Sequence, residues 1–172
     1  FIRTTAEHHK RGAQKLWRAI AAAQDFYKDT YEGLYCVGCE AYVTEKDLID
    51  GLCPNHKKPP EFYSEENYFF RYSEYLPQVK KLIESGELKI LPESRRTEML
   101  NLVKECIEEK RDVCFSRPAK ALSWGVPVPD DPSQTMYIWC DALSNYITAL
   151  DYEHYGELFK KFWPANIHLI GK

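Results

Sequence analysis

Residues 36–56 hold the pattern that most limits how this chain can fold. Cys36-x2-Cys39 is followed, after 13 intervening residues, by Cys53-x2-His56. A tight Cys-x2-Cys turn directs two sulfurs to one side. Two such corners complete a tetrahedron, the geometry that Zn²⁺ accepts from sulfur and nitrogen. Gly38 and Pro54 are suitable turn formers for the two corners. Four protein ligands leave no open position for a water nucleophile, so a zinc ion held here is expected to be structural. Few large apolar residues surround the cluster, and metal binding would be part of the folding free energy of this stretch. Two disulfides, or a chance Cys pair beside a surface His, are the competing explanations. A redox Cys-x-x-Cys would leave the second pair unexplained. The spacing alone names no function.

The other three cysteines read differently. Cys106 lies in a helical pattern, Cys114 in a β-like run and Cys140 beside a tryptophan. They are expected to be scattered buried thiols. Six cysteines permit 15 complete pairings, which sequence alone does not choose among. With no secretion signal visible, a reducing cytoplasm is the expected compartment. No apolar run approaches the roughly 18 residues that a membrane span needs. A net charge of −3 gives no sign of a general nucleic-acid-coating surface, which is usually basic.

Along the chain, FIRTT reads as a strand running into a helix from about residue 6 to 26, with Ala13, Leu16, Ile20 and Ala23 at helical spacing and Thr5 as its cap. A strand with no polar tail before it suggests a piece of a longer polypeptide. Short β-like runs with Gly and Pro punctuation follow from Tyr31 to about Tyr63. EENYFFRYSEYLPQVKKLIES leads into a helix ending near Ser85-Gly86. A second helix, about 95–110, sets Met99, Leu102, Val103, Cys106 and Ile107 on one face. DVCFSRP reads as a return strand, the proline-rich SWGVPVPDDPSQ as irregular, TMYIW (135–139) as a buried strand, DALSNYITAL as a helix and NIHLI (166–170) as a strand. The expected fold class is α/β at both ends, with a small α+β metal-bearing insert between them.

In the helix after TMYIW, Trp139, Ala142, Leu143 and Tyr146 fall at i, i+3, i+4 and i+7, with Asp141 pointing elsewhere. A small Ala between two large aromatic residues could leave a flat-walled slot suited to an unbranched apolar side chain. The slot would sit at the carboxyl end of a strand, where open α/β sheets bind ligands. Spacing by itself equally fits a stripe that packs the core.

Taken together, FIRTTAEHH, YEGLYCVGCEAYVTE, LCPNH, EENYFFRYSEY, PESRRTEML, SWGVPVP, YIWCDALSNYITAL and FWPANIHLIGK resemble, in order, stretches of the methionyl-tRNA synthetases, a class I aminoacyl-tRNA synthetase family. The resemblance covers essentially the whole chain. It implies the middle of a Rossmann-type catalytic fold: residues 1–30 as the end of the first half, 31–115 as the connective-peptide insert with its zinc knuckle, and 116–172 as the start of the second half. It implies Cys36, Cys39, Cys53 and His56 as the single-knuckle ligands. Trp139, Ala142, Leu143 and Tyr146 would form a methionine pocket, where sulfur–aromatic contact favours a thioether. Many members carry a bulky apolar residue at the place of Cys140, and some carry Pro at that of Leu143. The full enzyme would use ATP and Mg²⁺, activate methionine and transfer it to tRNA(Met). The His-Ile-Gly-His and Lys-Met-Ser-Lys-Ser type motifs, which position ATP and stabilise the transferring phosphate, do not occur in these 172 residues. No residue here is therefore assigned as catalytic, and the chain by itself is expected to be inactive, needing the remainder of the synthetase. The resemblance favours this family over the leucyl, isoleucyl and valyl synthetases, whose editing inserts are much larger. The alternative is a free-standing zinc-ribbon module that binds RNA or protein, which would not need the flanking α/β segments.

Other features have plainer readings. Adjacent His8 and His9 face different directions, so surface or packing roles are expected. Lys80-Lys81 and Arg95-Arg96, interspersed with acidic residues, read as solvated helix faces. Glu65, Glu66 and Arg71 flank aromatics expected to pack the insert onto the main fold. Trp124, beside Gly125, reads as an anchor for a rigid segment.

Overall fold

Aromatic and β-branched residues make up about half of Phe26–Cys36 (β1) and Glu61–Phe70 (β3), and the two runs pair antiparallel from Phe26↔Phe70 out to Tyr35↔Glu61. The computed structural model describes residues 1–39 and 41–171. Ala41–Val43 (β2) pairs with the far end of β1, and Val113–Cys114 (β4) pairs with the near end of β3, giving the order β2-β1-β3-β4. A second antiparallel sheet has the order β5-β7-β6, from Ser116–Pro118, Asp131–Met136 and Pro127–Val128. The helices are α1 (Glu7–Ala22), α2 (Tyr72–Ser85), α3 (Glu93–Glu108), α4 (Ile138–Thr148) and α5 (Glu157–Phe162). The chain is thus a mixed α/β structure. Among the described residues, no helix is long and apolar enough to cross a membrane.

The main core lies where α1, α4 and the second sheet meet the inner end of the ladder. Ala13, Trp17, Val126, Val128, Met136 and Cys140 are buried there, with Phe26, Tyr68 and Phe115 packed against them. Trp17 sits 4.3 Å from Phe26 and edge-on to Tyr68 at 5.4 Å, centroid to centroid. A satellite core of Leu76, Val103 and Cys106 joins α2 to α3. α2 ends at Gly86, whose φ of 80° supplies the left-handed cap expected there.

α1 and α4 touch along small and polar side chains. On α1 the buried residues are His9, Gly12, Ala13 and Trp17, so the buried stripe lies one turn earlier than the Ala13–Ala23 spacing suggests. Ala6, with no side-chain cap, precedes α1 in place of the expected Thr5. On α4 the buried residues are Cys140, Ser144 and Thr148. A Cβ at Gly12 would stand 3.2 Å from the Thr148 Cβ and nearer still to its methyl group, so glycine permits this approach.

Several elements differ from the sequence-based expectations. FIRTT and NIHLI have strand-like composition, yet neither is a strand. A strand exists only beside a partner, and no described strand lies alongside either run. Strand β7 ends at Met136 and the helix begins at Ile138, so TMYIW divides between the two. The proline-rich stretch is a hairpin. Pro129 and Asp130 (φ 65°) fit the two corners of a type II turn, and Pro132 falls where the register shifts, so its missing N–H disrupts no ladder bond. Trp124 is 76% exposed and anchors no segment among the described residues; Val126 and Val128 do the packing. On α3, Val103 and Cys106 are buried while Met99 and Leu102 stay partly exposed.

An ionic clasp fastens the two sheets. Lys28 Nζ lies 3.1 Å from Asp131 and 3.2 Å from Glu66, and the Tyr68 hydroxyl donates to Asp131 at 3.1 Å. The Ser133 hydroxyl donates to the other Asp131 oxygen at 2.5 Å. The Ser133 bond above all, with Lys28 and Tyr68, holds the Asp131 carboxyl down at about 2. Asp131 and then Glu66 push the Lys28 ammonium above its usual range. A carboxyl whose folded value lies below its unfolded value of about 4 stabilises fully above that pH and loses its contribution as the pH falls toward 2. Asp131→Asn is expected to cost about 1 kcal/mol near neutrality after allowing for solvent screening. In urea unfolding, the difference from wild type should shrink between pH 6 and pH 2.5; a difference of the same size at both would refute the clasp.

Candidate functional site

The two ligand pairs come together because each is closed by backbone hydrogen bonds. Cys36 ends β1, and its carbonyl accepts from the Cys39 N–H at 3.1 Å. The second corner is placed by a tight Asp50-Gly51 hairpin in which both residues have positive φ and Ile49 bridges Leu52. Immediately after it, the Cys53 carbonyl accepts from Lys57 N–H at 2.7 Å and the Cys53 N–H donates to Lys58 at 2.9 Å. Cys36, Cys39, Cys53 and His56 each offer one atom, and these atoms lie within 4.8 Å of one another.

The spacing of the donor atoms matches a tetrahedral ion. Around Zn²⁺, ligand sulfurs stand about 3.8 Å apart and sulfur–nitrogen pairs about 3.6 Å. Here Cys39 Sγ is 3.5 Å from Cys53 Sγ, and His56 Nδ1 is 3.8, 3.2 and 3.9 Å from Cys36, Cys39 and Cys53 respectively. All six cysteines are free thiols, which removes the disulfide alternative. The His56 backbone N–H and imidazole pull the Cys53 thiol down to about 6, toward the thiolate a metal requires. At Cys39, donation from Asn55 at 3.7 Å favours the thiolate, but Cys53, desolvation and Cys36 outweigh it and raise the thiol. Among the described residues from 36 to 60, only Cys36 and Cys53 are buried. This region has no apolar core of its own, and the donor set fits zinc as its cross-link.

Sequence spacing did not show why His56 presents Nδ1. Gly38 lies directly against the imidazole: a Cβ there would fall 2.6 Å from His56 Cγ and 2.8 Å from Nε2. The ring can adopt its ligating position only over a glycine.

The second expected constellation lies on α4. Cys140, Ser144 and Thr148 face α1, while Trp139, Leu143 and Tyr146 on the other side are 54%, 51% and 38% exposed, with Ala142 half-buried between them. Among the described residues, the aromatic stripe therefore takes no part in the α1–α4 core. Of the four residues only Tyr146 borders the neighbouring open cleft of about 520 Å³, which Phe162, Trp163, His168 and Leu169 also line. The His168 ring stands edge-on to Tyr146 at 5.3 Å and to Trp163 at 5.9 Å. Sequence reasoning passed over His168; a lone imidazole within the apolar NIHLI run was the available signal.

Comparison with known proteins shows the family to which the chain belongs. A family model described as tRNA synthetases class I (M) matches residues 1–59 and 45–172. Methionine–tRNA ligase of Clostridium perfringens is 46% identical over 174 residues, covering 100% of this chain and 26% of the relative. The Caldanaerobacter subterraneus subsp. tengcongensis ligase is 47% identical over 173 residues with the same coverage. The solved structure of Mycobacterium tuberculosis methionyl-tRNA synthetase bound by methionyl-adenylate matches with a TM-score of 0.79 at 37% identity, over 96% of this chain and 33% of that one. The chain thus spans about a quarter of the length of the curated relatives it matches. These matches include the α/β segments on both sides of the cysteine cluster, which the free-standing ribbon alternative does not explain.

The metal centre yields a direct expectation. The chain should bind about one equivalent of zinc per polypeptide, and Cys36→Ser should lose it. Gly38→Ala, which changes no ligand, should weaken zinc binding by roughly 10–100-fold, the usual effect of disturbing a ligand's support. Competition with a chromophoric chelator measures this; unchanged affinity would show that the imidazole does not need the glycine.

Proposed function

The chain belongs to the methionyl-tRNA synthetases, a class I aminoacyl-tRNA synthetase family, and from that membership we propose that it supplies the zinc-knuckle insert and one wall of the methionine site of a larger enzyme. In that reading residues 1–30 close the first half of the catalytic fold, 31–115 form the insert and 116–172 open the second half. The whole enzyme, in the cytoplasm, joins the methionine carboxylate to the α-phosphorus of ATP with Mg²⁺ and releases pyrophosphate. It then passes the methionyl group to tRNA(Met) and releases AMP.

One observation carries the proposal: α4 buries its small polar side and leaves its aromatic side uncovered. A helix packed only for stability would do the reverse. Trp139 and Tyr146 offer flat faces on either side of Ala142, which leaves room between them. A thioether is polarisable and unbranched, so it fits such a slot and gains contact between sulfur and the aromatic rings. His168, beside Tyr146, extends this wall with a polar group. Shape alone separates methionine from shorter or branched side chains by about 1–3 kcal/mol per methylene.

Cys36, Cys39, Cys53 and His56 would hold the zinc, whose contribution is a fixed cross-link and no chemistry of its own. Cys140, buried behind the slot, takes no part: burial and the neighbouring Asp141 push its thiol up to about 12. Without the nucleotide-positioning motifs, the electrostatic stabilisation of the transferring phosphate must come from elsewhere in the enzyme.

Methionine-dependent ATP–pyrophosphate exchange tests the assignment. In the full-length polypeptide carrying this chain, Trp139→Ala and Tyr146→Ala should each raise the methionine KM by roughly tenfold or more, with the ATP KM little changed. The 172-residue chain alone should show no exchange. Exchange by the isolated chain, or unaltered methionine KM in both variants, would overturn the proposal.

A further inference from the structure

Among the described residues, His9 is the only Lys, Arg, His, Asp or Glu that is buried, and it has no exposed surface. Both of its ring nitrogens reach α4. Nε2 lies 2.7 Å from Asp141 Oδ1, and Nδ1 lies 2.8 Å from Thr148 Oγ1. A carboxylate only accepts, so Nε2–H donates to Asp141, while Nδ1 pairs with the Thr148 hydroxyl, which can donate or accept. Both ring nitrogens of the buried imidazole are thereby satisfied.

The order Thr148–His9–Asp141 superficially matches a nucleophile, base and carboxylate. Thr148 is only 2% exposed, however, and Gly12 packs against its methyl group, so no substrate reaches the hydroxyl. The arrangement holds two helices together and performs no chemistry.

What it holds is specific. Asp141 and Thr148 are seven residues apart, two helical turns along one side of α4. A bond at one point would leave the helix free to pivot. Bonds at two points, two turns apart and sharing one rigid ring, fix both its rotation and its axial position. Asp141 lies in the first turn, between Trp139 and Ala142, and points away from them. Any rotation at Asp141 therefore moves the aromatic side of the helix by the same angle.

We propose that His9, acting through Asp141 and Thr148, is a positioning residue that sets the register of α4 and thereby the orientation of the amino-acid-binding wall that carries Trp139 and Tyr146. This inference rests on the assignment of that slot to methionine. It makes α1, which touches none of the slot residues through His9, a determinant of amino-acid binding.

Steady-state ATP–pyrophosphate exchange in the full-length polypeptide distinguishes positioning from simple stabilisation. His9→Ala should raise the methionine KM by about tenfold, with kcat and the ATP KM changed by no more than about twofold. His9→Gln places an amide N–H near the former Nε2 and can keep the Asp141 bond, so it should recover most of the loss. Thr148→Val removes only the Nδ1 partner with little change of shape. It should raise the methionine KM by about threefold, and it serves if His9→Ala does not fold. If every folded variant keeps the wild-type methionine KM and only its melting temperature falls, His9 is structural and the inference fails. If the wild type itself shows no methionine-dependent exchange, it is the slot assignment that has failed.

Discussion

The antiparallel ladder of β1 and β3 is the constraint on which the rest of the structure depends, because its two ends are stabilised by different means. At the inner end Phe26 and Tyr68 pack on Trp17, and the apolar area they bury holds the ribbon to α1. At the outer end, roughly 30 Å away for strands of this length, the described residues form no apolar core. Even with β2 added, a narrow ribbon without a hydrophobic face is marginal by itself in water. The outer end therefore needs a cross-link, and the three thiols and imidazole at Cys36–His56 are placed to provide one. Between the two ends, the Lys28–Asp131 clasp ties the ribbon to the second sheet and limits how far it can swing.

α4 shows a similar division between its two sides. Cys140, Ser144 and Thr148 are small, and they let α1 approach closely across Gly12. The large rings are then left for the opposite side. A helix with its aromatic residues in the core would be more firmly packed, but it would offer nothing to a ligand. Here the stable contact and the binding surface lie on opposite sides of one rigid element, so the first can set the position of the second.

The sequence revealed those features whose physics is local. Ligand spacing in the cysteine cluster, the Gly86 cap and the i, i+3, i+4, i+7 alignment of Trp139 to Tyr146 each depend on residues a few positions apart. What it did not reveal depends on partners distant in the chain. FIRTT and NIHLI have strand composition, but strand formation needs a neighbour to pair with. The proline-rich stretch forms a hairpin because Pro129 sits at a turn corner and Pro132 at a register shift, and residue type alone locates neither. The choice of Nδ1 at His56 depends on the space left by Gly38. His9 looked like one of two ordinary surface or packing histidines, since its partners lie 132 and 139 residues away. The stripe on α4 was legible as a stripe, but its orientation toward solvent was not.

The polar composition of the α1–α4 contact has a physical rationale. Apolar residues of matching volume could replace a satisfied buried imidazole with little loss of stability, since net hydrogen-bond contributions are only about 1 kcal/mol each. Apolar packing of the right volume, however, specifies a single arrangement less sharply, since such cores lose uniqueness before they lose stability. Hydrogen bonds weaken steeply when misaligned. A ring bonded at 2.7 and 2.8 Å to two groups on one helix defines an angle as well as a distance. Where a slot must separate side chains that differ by a single methylene, the orientation of its wall matters more than the stability of its support, and a directional contact behind that wall is the means of fixing it.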